Sequence, residues 1–131
     1  MTDTKSNFTI MKKECTSNTV ALKGKEYPCT VSLTMDLIGG KWKAVILYHL
    51  IKGSKRFNEL RKEIPAVTEM TLSLQLKQLE NDGLLERTVY GDKRPIRVTY
   101  ELTDLGKSVI PVLNAITNWG NEVASTYGRF V

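Results

Sequence analysis

Two short runs of apolar residues at helical spacing, parted by a proline and closed by a glycine, restrict this chain more than any other feature. Phe57, Leu60 and Ile64 recur three to four residues apart and stop at Pro65, which disfavours helical backbone in the residue before it. Helical spacing resumes with Leu72, Leu76 and Leu79 and ends at Asp82-Gly83. Thr68 is the expected N-cap of this second helix, and Glu69 puts a carboxylate in its first turn, where the helix dipole favours it. Two short helices joined by a tight turn form a helix-turn-helix unit.

The flanks extend that unit in a definite order. Upstream, Val31, Thr34/Met35 and Ile38 predict a helix over Thr30–Ile38, ended by Gly39-Gly40. Trp42, Val45/Ile46 and Leu50 predict another over residues 41–51, ended by Gly53, with Trp42 and His49 counted in its apolar pattern as core. Downstream, two β-rich runs, 84–90 and 96–102, surround a turn at 91–95 and predict a hairpin. Thr103 then caps one long final helix carrying Leu105, Val109, Val112/Leu113, Ile116, Trp119 and Val123, with a kink expected at Pro111. Residues 1–28, rich in Lys, Thr, Ser and Asn, are expected to be a mobile arm or an extended lead-in, not a packed helix. The expected fold is mainly α with a small β-hairpin (α+β), a winged helix-turn-helix over residues 29–131 with a long C-terminal dimerisation helix.

At 131 residues and 41% hydrophobic content the chain suits one core. No apolar run approaches the roughly 20 residues of a membrane span, and no secretory signal pattern opens the chain, so no membrane association and a cytoplasmic location are expected. Cys15 and Cys29 are too far apart for a CxxC motif and the single His49 stands in no ligand cluster, so no metal and no cofactor are expected. No Gly-rich phosphate loop and no Ser/His/Asp constellation supports an enzyme.

Charge is unevenly spread. Residues 41–62 hold seven basic side chains against one acid, Glu59, whereas 63–83 carry a net charge of −3. The basic segment suits phosphates, although lysines are more often simply solvated.

Specific strings then narrow the family. Ile38-Gly39-Gly40-Lys41-Trp42, preceded by Cys29, resembles the opening of HxlR-type regulators, a branch near the MarR regulators. The likeness continues through Lys55-Arg56-Phe57-Asn58-Glu59-Leu60, Gln75-Leu76-Lys77-Gln78-Leu79-Glu80 with Asp82-Gly83-Leu84, Arg97-Val98-Thr99-Tyr100, Leu102-Thr103-Asp104-Leu105-Gly106 and Trp119-Gly120. Two departures stand out: proline precedes the cysteine here instead of following it, and Met70 and Leu74 occupy positions that commonly carry Lys and Gln. The resemblance implies a homodimer on a roughly palindromic double-stranded operator, often responsive to oxidants or electrophiles.

With Leu72, Leu76 and Leu79 inward, Met70, Ser73, Leu74 and Lys77 face outward toward a major groove and, with the N-cap Thr68, are expected on DNA; packing against another helix is the alternative for Met70 and Leu74. Lys55 and Arg56 are expected on phosphate, and Lys93, Arg94 and Arg97 on the wing. Surplus apolar residues Val112, Ile116, Trp119 and Val123 suggest a dimer interface; burial within one chain is the alternative. Cys29 precedes a helix whose dipole favours a thiolate, yet buried cysteines are usually inert; the resemblance favours sensing, with Cys15 either a resolving thiol or incidental. Two rival readings remain: control by a small ligand at the dimer interface, and a winged helix used only as a protein-interaction module.

Overall fold

The computed structural model describes residues 19–92 and 96–131. The chain divides into two compact units, Met1–Gly40 and Lys41–Val131.

In the first unit, strands β1 (Val20–Leu22) and β2 (Lys25–Tyr27) pair antiparallel, Val20 opposite Tyr27 and Leu22 opposite Lys25. This hairpin stands in part of the segment expected to be a mobile arm. Its two-residue turn, Lys23-Gly24, has φ of 49° and 82°, the left-handed pair that matches the twist of a tight hairpin. Helix α1 (Thr30–Ile38) follows with the bounds read from the sequence. The Tyr27 hydroxyl donates to Asp36 Oδ2 at 2.7 Å and Lys25 Nζ lies 3.5 Å from the same oxygen, tying hairpin to helix. Residues 1–18, including Cys15, lie outside the described residues.

The second unit runs α2 (Lys43–His49), β3 (Lys55–Arg56), α3 (Phe57–Glu63), α4 (Glu69–Asn81), β4 (Leu85–Tyr90), β5 (Arg97–Leu102), α5 (Asp104–Ser108) and α6 (Ile110–Tyr127). Its core is aliphatic: Ile46, Leu47 and Leu50 from α2, Leu60 from α3, Leu72, Leu76 and Leu79 from α4, Leu85 and Leu102 from the sheet, and Leu113 from α6 are all buried. Helix α2 packs on both α4 and α6, so its buried side chains hold the reading helix to the C-terminal helix. Trp42, expected in the core, is only partly buried at the start of α2, with Lys41 Nζ 5.3 Å from its ring centre.

The sheet is antiparallel in the order β3-β5-β4, with Thr88 opposite Thr99 in the hairpin. Strand β3, absent from the sequence reading, sets Lys55 opposite Tyr100 and Arg56 opposite Thr99, joining the helix-turn-helix to the wing.

The single kinked final helix is corrected to two helices. Val109 interrupts the run, and Pro111 falls in the first turn of α6. A proline there leaves no intrahelical acceptor unpaired by its missing N–H, whereas in mid-helix it would break a bond and strike the preceding turn.

Candidate DNA-binding surface

Helix α4 starts where Thr68 Oγ1 accepts from the Thr71 backbone N–H at 3.1 Å, satisfying one of the unpaired amides of the first turn. It ends at Gly83, whose φ of 83° lets Leu84 N–H reach Leu79 O at 3.0 Å. Between these stops Leu72, Leu76 and Leu79 point inward, and the other face carries Met70, Ser73, Leu74 and Lys77, all exposed. The sequence-derived division of this helix therefore agrees with the structure side chain by side chain.

Helix α3 is capped by Arg56, whose backbone N–H donates to Glu59 Oε1 at 2.7 Å, and its side chain is exposed. Lys55 behaves differently. Its side chain is 22% exposed and its ammonium lies 2.8 Å from Glu63 Oε2, and that hydrogen bond holds its pKa above the usual lysine value. The same carboxylate, through Oε1, meets His49 Nδ1 at 2.8 Å. The bonds from Lys55 and then His49 hold Glu63 below the usual carboxylate range. These three residues, with Tyr48, Lys52 and Asn114, line a cavity of about 460 Å³. His49, read from the sequence as a core residue on an apolar pattern, is instead a hydrogen-bond partner of Glu63 at the end of α2.

Glu69 in the first turn of α4 is met by Arg61 Nη1 at 2.9 Å, which bridges α3 to α4. Arg87 was not singled out in the sequence. It lines a hollow of about 290 Å³ with Ser73, Lys77, Glu80 and Tyr100, placing a second cation beside the outward face of α4. Only the register of β4, which puts Arg87 opposite Tyr100, shows this. Arg97 opens β5 opposite Tyr90 and is exposed; Lys93 and Arg94 lie outside the described residues.

Away from this surface, α6 leaves Val112, Ile116 and Trp119 exposed, Trp119 to 68%, with Val123 half-buried. Beside them Ala44, Val45, Tyr48, Leu113, Ile116 and Thr117 line a hollow of about 210 Å³. In the first unit Cys29 is 2% exposed at the N-cap of α1, with Sγ 3.8 Å from Ser32 Oγ, and it is disulfide-bonded. No helix among the described residues is long and apolar enough to cross a membrane.

A three-stranded sheet whose hairpin follows a helix-turn-helix defines a winged-helix regulator of the MarR-like kind. The chain belongs to the HxlR-like helix-turn-helix family, whose model matches residues 37–127. It is 49% identical over 94 residues to the uncharacterized HTH-type transcriptional regulator YdeP of Bacillus subtilis, covering 72% of this chain and 73% of that one. Among solved structures, the redox regulator HypR in its oxidized form is 45% identical with a TM-score of 0.68, over 72% of this chain and 96% of that one. Quinone-bound YodB from B. subtilis is 28% identical with a TM-score of 0.60, over 71% of this chain and 97% of that one. The protein is accordingly a transcription regulator that binds DNA through its helix-turn-helix, and not an enzyme.

Proposed function

We propose that this regulator binds a roughly palindromic operator as a homodimer and that oxidation or alkylation at Cys29 changes its affinity. The observation that carries the reading is the outward face of α4, where Met70, Ser73, Leu74 and Lys77 are exposed with Arg87 beside them. Ser73 and Lys77 are suited to base edges and phosphate, Arg56 and Arg97 to backbone phosphate. Lys93 and Arg94 are assigned to the wing's DNA contact on sequence grounds alone. Thr68 acts by holding the first turn of α4, and Lys55 by holding Glu63 at the foot of α3.

A single winged helix reads one half-site, and the exposed Val112, Ile116 and Trp119 support pairing through α6, with Val123 continuing the stripe. For redox control, oxidation of Cys29 and Cys15 to a disulfide would transfer two electrons and two protons to the oxidant; a quinone would add directly to a thiolate. The likeness to the redox regulator HypR and the place of Cys29 at the N-cap of α1 support this.

The test is binding of the full chain to the DNA upstream of its own gene, located by footprinting and titrated over salt concentration. A protected two-fold site with a steep salt slope, weakened by diamide in the wild type and indifferent to it in Cys29→Ser, is expected. A chain that binds no duplex in a salt-dependent way, as a pure protein adaptor would behave, refutes the reading.

A further inference from the structure

We propose that the apolar pair Met70 and Leu74 makes this protein select its operator through thymine 5-methyl groups. This rests on α4 docking in the major groove as proposed above. Met70 is 82% and Leu74 53% exposed, although the same helix buries Leu72, Leu76 and Leu79 almost completely. Two large apolar side chains one turn apart on an outward face find no cover among the described residues.

The chemistry of that face leaves one groove feature for them to meet. Among base-pair edges in the major groove, the thymine methyl is the one that offers apolar contact. Asn and Gln, which read adenine by paired hydrogen bonds, are missing from positions 70, 73, 74 and 77; Lys77 is suited to guanine, and Gln78 stands in the last turn, away from the end that enters a groove first. Ser73 and Lys77 between them supply hydrogen bonds and charge but little discrimination of A·T from T·A. Four residues along a helix span about 6 Å, just under two base-pair steps of about 3.4 Å each. Met70 and Leu74 therefore fit methyl groups roughly two steps apart in one half-site. Leu74, branched and short, should be the stricter reader; Met70, unbranched and polarizable, tolerates more displacement.

The occupant is DNA and not an apolar protein surface because of the charge around the pair. Lys77 shares the face, Arg87 lines the adjoining hollow, Arg56 is exposed at the cap of α3, and Arg61 neutralises Glu69 beside Met70. That rim complements phosphates.

The experiment uses the full wild-type chain to select operator duplexes from a random-sequence pool. Each thymine of the selected half-site is then replaced by deoxyuridine, which keeps base pairing and removes the methyl alone. Two positions should each lose roughly fourfold in affinity, the worth of one buried apolar carbon. Met70→Ala should erase the loss at one of them and Leu74→Ala at the other; both side chains are exposed, so the variants keep the fold, checked by circular dichroism. If deoxyuridine has no effect while Ser73→Ala and Lys77→Ala still weaken binding, α4 docks but does not read methyls, and this inference falls alone. If neither deoxyuridine nor any substitution on α4 alters binding, the docking itself is wrong and both fall.

Discussion

Replacing Gly106 by alanine tests the joint between wing and C-terminal helices, because helix propensity and packing there demand opposite signs. Propensity alone favours alanine in α5 by about 1 kcal/mol. In the structure, however, a Cβ at Gly106 would lie 2.2 Å from the Leu84 carbonyl oxygen and 3.2 Å from Cβ and Cδ2 of Leu102. Real Cβ contacts essentially never fall below 3.0 Å, so the two backbones must separate by about 0.8 Å, the difference between 3.0 and 2.2. Neither side yields freely. The Leu84 carbonyl accepts from Thr103 N–H at 3.1 Å, and the Thr103 hydroxyl donates to Gly83 O at 2.5 Å while accepting from Gly106 N–H at 3.1 Å. Forcing an extra carbon into a packed site costs about 1–3 kcal/mol, here toward the upper end because the obstacle is backbone. The net loss is about 1–2 kcal/mol, a fall in Tm of roughly 4 °C for each kcal/mol. Thermal and urea unfolding of the two proteins measures it, and an unchanged or raised Tm in Gly106→Ala would refute the close approach.

Arg56→Ala and Arg97→Ala should each flatten the dependence of log affinity on log salt by about 0.9, one phosphate's share, read by fluorescence anisotropy on operator DNA. Trp119→Asp should turn a sedimenting dimer into a monomer and abolish operator binding; a wild type that is monomeric at micromolar concentration would sink the dimer reading. Glu63→Gln should lower stability at neutral pH. Because the Glu63 pKa is depressed in the fold, its contribution is present above the ordinary carboxylate value and is lost as pH falls through the folded one, so wild-type and variant melting curves should converge only once the pH has fallen below the ordinary carboxylate range. Convergence on raising the pH instead would contradict the ion pair. Cys29→Ser should abolish the response to diamide or quinone while leaving reduced-state binding intact, by gel shift.

The reading helix was legible because its signals are redundant: three leucines at helical spacing, a capping threonine and a closing Asp82-Gly83 all say the same thing. The β1–β2 hairpin was not, since three-residue strands offer no periodicity to count and Lys23 holds a left-handed φ of 49° that lysine seldom adopts. Strand β3 has two residues and exists through pairing with a strand 40-odd positions later, which local pattern cannot reveal. His49 misled because an i, i+3 apolar pattern continues to the end of α2, and only the return of α3 brings Glu63 to its ring. Arg87 was invisible for a related reason. Alternation tells which residues of a strand share a face, but not what that face looks toward until β4 is set against α4.

One apparent contradiction in the sequence resolves in this geometry, and it bears on how α4 can approach DNA. Residues 63–83 carry a net charge of −3, which should repel phosphates from the very segment assigned to read bases. Glu63 is held by Lys55 and His49, and Glu69 by Arg61. The other two, Glu80 and Asp82, stand at the far end of α4, ten or more residues beyond Met70 and so about 15 Å along the axis. Acid at the C-terminal end stands at the negative pole of the helix dipole, while the N-terminal end presents its positive pole with Glu69 cancelled. On the docking proposed above, the field along α4 then has a direction. It draws the N-terminal turns, with Met70, Ser73 and Leu74, toward the groove and holds the C-terminal end away. Arg61→Ala should accordingly weaken operator binding by freeing Glu69 beside the contact, and Glu69→Gln in the same chain should restore it. If the double variant is no better than Arg61→Ala alone, Arg61 acts by holding α3 against α4 and not by cancelling charge.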